Sequence, residues 1–216
     1  MSLARPSSAP SREQVTLDRI TRGLRMLTVP FPHLSGLAAA VRVSIDESVP
    51  TMGVFASGRL VANPDFTARL SSADLQFVLA HELLHLALRT HDRAVGSGRL
   101  EFNYAHDYII NDMLRHAFGI TKIPAGGLDM DGARNRSAEE IVLEMRRNAG
   151  QPSRSRVWEG EIVVVGDALG RGGRSGKGDP GDVLDAARER EMFPGDTTDQ
   201  AERIRAIRDL AAKGIA

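Results

Sequence analysis

His81-Glu82-Leu83-Leu84-His85 lies in the middle of an apolar stretch with the pattern of a helix. On an α-helix, two residues four positions apart lie on one face, about one turn from each other. The two imidazoles can therefore bind one Zn²⁺ ion from the same side, and Glu82 is placed to take a proton from a water molecule at that ion. The spacing predicts a metal-dependent hydrolase with His81 and His85 as ligands and Glu82 as general base.

The residues around this motif favour a helix. Ser71 and Asp74 have the spacing of a helix start, and residues 71–91 contain neither Pro nor Gly. Apolar side chains recur at steps of three and four, namely at Leu75, Val78, Leu79, Leu83 and Leu86. The alternative is a core helix with two hydrogen-bonded histidines. Burial of two histidines and a glutamate is costly without a partner such as a metal ion, which favours the metal site.

A catalytic zinc ion normally has three protein ligands and one open position, so a third ligand must be found. His91 is the first candidate. On an uninterrupted helix it would lie about 240° around the axis from His85, so we expect the helix to end near residues 89–90. Asp107 is the alternative third ligand, and His106 is a weaker one.

Residues 101–118 are predicted to form a second helix, on which Asn103, Asp107 and Asn111 follow one another at steps of four. Such a polar stripe is either a solvated face or a set of side chains that faces the metal helix. If Asp107 does not bind the metal, we expect it to accept a hydrogen bond from the N–H group of a histidine ligand.

The block from Phe77 to Arg93, together with residues 102–111, resembles a bacterial metallopeptidase domain of the zincin superfamily, which is often found ahead of a von Willebrand A-like domain. The positions that match the pattern of that family are His81, Glu82, His85, Arg93, Asn103, Ala105, Asp107, Ile110 and Asn111. Segments that begin at Ile123 and Ser137 are similar to later parts of the family. The resemblance covers roughly residues 15–148.

The resemblance implies an α+β, minimal zincin-like fold, in which a small antiparallel or mixed sheet packs on the H-E-x-x-H helix and further helices. It implies a zinc metallopeptidase with a peptide or protein substrate, and a possible partner protein with a von Willebrand A-like domain. Residues 52–62 would supply an edge strand that holds an extended peptide above the metal. The side chains expected near the ligands or the substrate are those of Asn103, Asp107, Arg93 and Tyr108. Tyr104, Tyr108 and Arg93 are the candidates to stabilise the oxyanion.

Composition limits the other classes of function. The chain of 216 residues has 28 basic and 28 acidic side chains, so its zero net charge argues against nucleic acid or an anionic membrane as a partner. The absence of Cys leaves His and carboxylate groups as metal ligands. The sequence contains no apolar run that could span a membrane and no signal-peptide pattern, so we expect a cytoplasmic protein.

The sequence predicts four parts along the chain. These are a disordered N-terminus (1–12), a zincin-like metallopeptidase domain (13–149), a Gly/Arg-rich linker or extension (150–182) and a C-terminal helical segment (183–216). Within the domain, we expect a first helix over 13–27, a strand over 39–45, a hairpin over 52–62 and a helix that begins at a capping box at Ser137. The last helix must dock onto the domain or pair with another chain.

A different class of function is also open at this point. A catalytically silent adaptor could keep the zincin fold for protein–protein interaction, although such a protein has little need of Glu82. A third hypothesis is an interaction module that acts through residues 150–216.

Overall fold

The computed structural model describes residues 9–93, 99–148, 183–184 and 186–215. Most of the predicted disordered N-terminus (residues 1–8) and the predicted linker over 150–182 lie outside them.

Helices and one small sheet make up the described structure. The helices are α1 (Arg12–Leu27), α2 (Ser35–Ala40), α3 (Pro64–Arg69), α4 (Ser72–Ala87), α5 (Thr90–Arg93), α6 (Arg99–Phe118), α7 (Ala138–Asn148), α8 (Ala186–Met192) and α9 (Gln200–Ile215). The strands are β1 (Arg42–Ile45), β2 (Met52–Phe55), β3 (Arg59–Ala62) and β4 (Val183–Leu184). They form a mixed sheet in the order β1-β3-β2-β4, in which β2 is antiparallel to β3 while β1–β3 and β2–β4 are parallel pairs. The predicted α+β class is confirmed.

Helices begin where their capping residues predict. The Ser71 hydroxyl accepts a hydrogen bond from the backbone N–H of Asp74 at 3.0 Å, at the start of α4. Ser137 and Glu140 form a reciprocal capping box at α7, with the Ser137 N–H donating to the Glu140 carboxylate at 2.9 Å and the Glu140 N–H to the Ser137 hydroxyl at 3.2 Å. These bonds satisfy N–H groups that the first turn of a helix leaves without partners.

Helix α4, which carries the H-E-x-x-H motif, is the centre of the fold. Helices α1, α2, α6 and α9 and strand β2 all pack against it. Its side chains at Leu79, Ala80 and Leu83 have no exposure to solvent. Because α4 is covered on most of its circumference, its orientation relative to the sheet and to α6 is set by packing.

The C-terminal helix docks onto the same core. Ile207 of α9 is buried and belongs to the hydrophobic cluster that contains Leu79 and Leu83 of α4. The segment before α9 is held by charges, since the Arg59 guanidinium donates to Glu189 at 3.0 Å and also contacts Asp196. Of the two possibilities for the last helix, the structure therefore shows docking within the chain.

One predicted strand is present but shorter than expected, and the prediction of an edge strand is wrong. The strand expected over 39–45 begins only at Arg42, because the alanine-rich residues before it form α2. Residues 52–62 do not supply an edge strand. Strand β2 lies between β3 and β4, with Val54 opposite Val183, and β3 lies between β1 and β2. The reason is long-range, because the chain returns more than a hundred residues later to pair with β2.

No helix in the described part of the chain has both the length and the apolar character needed to cross a membrane. The cytoplasmic location stays a prediction.

The turn between β2 and β3 allows a test of how α9 docks. Gly58 has φ of +77°, and a Cβ atom there would lie 2.6 Å from Cδ1 of Ile207. We expect Gly58→Ala to lower the free energy of unfolding by about 2–3 kcal/mol, from left-handed backbone strain and overpacking together. Urea unfolding measures this change.

Gly119→Ala is the matched control. Gly119 has φ of +63°, but a Cβ atom there would have none of the described atoms within 4 Å. The substitution should cost only the backbone contribution of about 1 kcal/mol. Equal losses in the two variants would contradict the packing of α9 over the turn at Gly58.

Candidate metal centre

Three possible metal donors meet in the core between α4 and α6. Nε2 of His81 and Nε2 of His85 are 2.9 Å apart, and Oδ1 of Asp107 lies 3.6 Å from the first and 3.1 Å from the second. The three residues are 5%, 0% and 1% exposed, in the same order. We call these three atoms the three-donor cluster. Among the described residues, this is the group of His and acidic side chains with the geometry to hold a metal ion.

The spacing of the three-donor cluster fits a tetrahedral ion. A triangle with sides of 2.9, 3.6 and 3.1 Å has a circumradius of about 1.9 Å. A point about 0.8 Å above its plane is then about 2.0–2.1 Å from every donor, the usual length of zinc bonds to imidazole nitrogen and carboxylate oxygen. Two imidazoles and one carboxylate also form a common donor set for catalytic zinc. The residues present therefore fit this metal.

The ring of His81 is oriented by Asn111. Nδ2 of Asn111 donates to the backbone carbonyl of Leu128 at 2.9 Å, so its Oδ1 faces Nδ1 of His81 at 2.8 Å. Because this oxygen only accepts, the proton of His81 lies on Nδ1. Nε2 is left with its lone pair directed at the three-donor cluster, which is the state that a metal ligand needs.

The ring of His85 is held by a hydroxyl group. Oγ1 of Thr90 lies 3.1 Å from Nδ1 of His85 and 2.8 Å from Nδ1 of His106. His106 is therefore behind the cluster and not within it. Burial, with the neighbouring His85 and Arg93 adding to it, lowers the pKa of His106 to about 3, so this ring is uncharged at neutral pH.

Glu82 lies on the wall of a small cavity that His81 also lines. Its side chain is 2% exposed. The cavity is about 40 Å³ in size, which is room for only a few water molecules. The residues that line it are Thr51, Met52, Phe66, Phe77, Val78, His81, Glu82, Asn111, Pro124 and Gly127. The lining of this cavity therefore combines four polar side chains with apolar ones.

His91, the first candidate for the third ligand, lies elsewhere. Helix α4 ends at Ala87, and Arg89 has φ of 55°, so the chain reverses close to the predicted place. The reversal brings Thr90 toward the cluster. Nε2 of His91 is 3.2 Å from the backbone carbonyl of Val54 in β2, and His91 is not a member of the three-donor cluster.

The other predicted site residues differ in burial and in their contacts. Asn103 and Asn111 are buried with Asp107, so the polar stripe of α6 faces inward. Tyr108 is half-buried, and burial followed by the charge of Asp107 raises its pKa, which keeps the phenol protonated at neutral pH. Arg93 is more exposed and faces the carboxylate of Glu139 at 3.5 Å.

Thr90 is the residue of the site that the sequence did not single out. A threonine has no metal-ligand signature of its own, and its role depends on the reversal at Arg89. The one feature of the sequence that pointed to Thr90 was its position in the turn that we expected after His85.

Comparison with known proteins adds a family. A family model described as a putative metallopeptidase domain matches residues 17–210. The match contains the whole three-donor cluster. It also continues past residue 148, where the resemblance seen in the sequence ended, into α9. Neither the search of curated proteins nor the search of solved structures returned a match.

A buried carboxylate supports the loop that orients Asn111. Asp112 accepts hydrogen bonds from the side chain of Arg115 at 2.5 Å, and from the backbone and side chain of Arg134 at 3.0 and 3.1 Å. Burial alone would raise the pKa of Asp112, but these hydrogen bonds outweigh it and hold the pKa below its ordinary value. Asp112 therefore stabilises the fold in its charged form.

We expect Asp112→Asn to lower the free energy of unfolding by about 1–3 kcal/mol at neutral pH. Because the folded pKa is depressed, the stabilisation is complete above the unfolded pKa of about 3.9 and is lost as pH falls through the folded pKa. The difference between the two proteins should therefore shrink below about pH 4. Urea unfolding at several pH values measures it.

Asp131→Asn is the control, because Asp131 also contacts Arg115 but is 91% exposed. We expect a change of less than about 1 kcal/mol. An equally large loss in this variant would contradict a special role for Asp112.

Proposed function

We propose that this chain, which belongs to the metallopeptidase-domain family, is a zinc-dependent peptidase that holds its ion with His81, His85 and Asp107 and uses Glu82 as general base. The observation that carries the proposal is the convergence of three buried donors on one point, with one of them, His81, lining the same cavity as Glu82. Family membership supports a metal-dependent peptidase, and the donor set supports zinc.

The identity of the ion is argued from its donors. Two imidazole nitrogens and one carboxylate oxygen suit zinc, and the sequence contains no Cys. Both rings offer Nε2 while Nδ1 is held by Asn111 or Thr90. A partner for the second nitrogen is the usual arrangement for a histidine that binds a metal, because it fixes the tautomer and the ring plane.

The chemistry divides between the ion and the chain. A bound zinc ion supplies Lewis-acid polarisation of the scissile carbonyl and lowers the pKa of a water molecule toward neutrality. Glu82 accepts the proton of the attacking water on its carboxylate and passes it to the leaving amine. Apolar side chains such as Phe77 and Val78 keep other water away, which strengthens the charge interactions at the reacting atoms.

The substrate and partner are further proposals. A peptide or protein is the substrate that the family supports, and its backbone must displace or widen the walls of a cavity of about 40 Å³ to reach Glu82. The partner protein with a von Willebrand A-like domain stays a prediction from the resemblance.

Zinc analysis tests the ligand set. We expect one zinc ion per chain, and we expect Asp107→Asn and His85→Ala each to weaken zinc binding by more than about 100-fold, beyond the loss expected for a residue behind the ligands. His91→Ala is the comparison: because His91 only supports the turn from outside the proposed ligand set, its Kd for zinc should rise by less than about 10-fold. Chelator competition measures the affinities, and circular dichroism establishes that each variant is folded. Loss of zinc in His91→Ala with retention in Asp107→Asn would make His91 the third ligand.

Glu82→Gln tests the general base. The substitution keeps the shape of the side chain but removes its ability to take a proton, so we expect unchanged zinc content and a fall in kcat of at least about 100-fold. The assay uses a library of fluorogenic peptides. Glu191→Gln, which alters an exposed carboxylate of α8 that pairs with Arg188, should retain full turnover.

Two outcomes would contradict this proposal. Full turnover by Glu82→Gln would exclude Glu82 as the base. A zinc-loaded unaltered protein that cleaves no peptide of the library would favour the silent adaptor.

A further inference from the structure

We propose that Thr90 is a positioning residue of the metal centre, whose hydroxyl accepts a hydrogen bond from His85 and donates one to His106. This inference rests on the proposed function, because it concerns how His85 is held as a zinc ligand. In this arrangement the turn after the H-E-x-x-H helix places a hydroxyl group against Nδ1 of His85. The turn supplies no third metal ligand.

The number of protons decides the direction of the hydrogen bonds. The Thr90 side chain is fully buried, and Oγ1 contacts Nδ1 of His85 and Nδ1 of His106. A hydroxyl group has one proton to donate, so it can donate to only one of the two rings. When Nε2 of His85 is used as a metal donor, the proton of that ring is on Nδ1 and Thr90 must accept it. The Thr90 proton then goes to His106.

His106 is suited to be the end of this chain. Its ring is buried and lies against the ring of Phe102, with 4.8 Å between centroids. Since Nδ1 accepts from Thr90, the ring is a neutral imidazole with its proton on Nε2. The contact with Phe102 holds the ring in place, and with Nδ1 as the acceptor the ring holds the Thr90 hydroxyl in one rotation.

The backbone explains how Thr90 reaches this place. On a continued helix, a residue five positions after His85 would lie about 140° away around the axis. The chain instead leaves the helix after Ala87 and takes a positive φ at Arg89, which is uncommon for a residue other than glycine. This reversal turns Thr90 back toward the ring of His85.

The two residues that follow Thr90 anchor the turn to other elements. The ring of His91 contacts the carbonyl oxygen of Val54 in β2 at 3.2 Å. The carboxylate of Asp92 accepts from Nε of Arg208 in α9 at 3.0 Å. Because strand and helix both hold the turn, Thr90 has little freedom to move away from His85. The contact of His91 is thus part of the same support.

The two histidines have parallel arrangements. Asn111 holds His81 and is itself oriented by the carbonyl of Leu128, while Thr90 holds His85 and is oriented by His106. In both cases a third group (the carbonyl of Leu128 or the ring of His106) fixes the direction of the hydrogen bond to the histidine. Loss of such a partner typically weakens metal binding by about 10- to 100-fold, since the ring can rotate and its buried N–H has no acceptor.

The test compares Thr90→Val with Thr90→Ser. Valine keeps the shape of the side chain but has no hydroxyl, whereas serine keeps the hydroxyl. We expect Thr90→Val to raise the Kd for zinc by about 10- to 100-fold and Thr90→Ser to stay within about threefold of the unaltered protein. Chelator competition with zinc measures Kd. Imidazole ¹⁵N chemical shifts of the zinc-loaded proteins report the tautomers of His85 and His106.

Thr67→Val is the matched control. Thr67 is also buried, and its hydroxyl donates to the backbone carbonyl of Asn63 at 2.8 Å, in α3. Its loss should lower stability without changing zinc affinity. If Thr90→Val does not fold, Thr90→Ala and Thr67→Ala form the equivalent pair.

The outcomes separate this inference from the proposed function. Zinc binding by Thr90→Val as tight as that of the unaltered protein would overturn the role of Thr90 alone. So would equal losses of affinity in the Thr67 and Thr90 variants, or failure of Thr90→Ser to bind zinc while folded. An unaltered protein that binds no zinc would overturn both this inference and the proposed function.

Discussion

Two carboxyl groups and two imidazoles buried on neighbouring helices are the constraint on which the rest of the structure depends. Glu82 and Asp107 have almost no exposure to water. A charge moved from water into a protein interior costs several kcal/mol unless partners compensate it. In the proposed metal site, a divalent cation beside Asp107 would compensate part of this cost, and metal binding would then be thermodynamically linked to folding. The dense apolar packing of α4 holds these side chains in one arrangement.

The helical motif was predictable because its geometry is local. Residues four apart on a helix share a face whatever surrounds them, so His81 and His85 could be placed together from their spacing alone. The choice between His91 and Asp107 is not local. It depends on the backbone at Arg89, which takes a conformation that its residue type disfavours, and on the approach of α6 to α4. Tertiary packing decides both, and periodicity carries no information about it.

The sheet shows the same limit. The hairpin of β2 and β3 joins neighbouring segments, and its turn residue Gly58 marks it in the sequence. The parallel pairing of β1 with β3 and of β4 with β2 joins segments that are distant in the chain. Strand β4 has only two residues, too few for an alternating pattern. The prediction of an edge strand was therefore wrong because β4, a partner from a distant part of the chain, pairs with β2. Local sequence patterns do not predict such a pairing.

The C-terminal helix connects these long-range contacts to the metal centre. A division of the chain after residue 149 would cut through one hydrophobic core, because Ile207 packs with the residues of α4. It would also remove Arg208, which holds Asp92 in the turn that presents Thr90. The family match to residue 210 includes both contacts. Residues 200–210 are thus better explained as part of the same core than as a separate interaction module, since Ile207 packs with α4 and Arg208 contacts the turn next to Thr90.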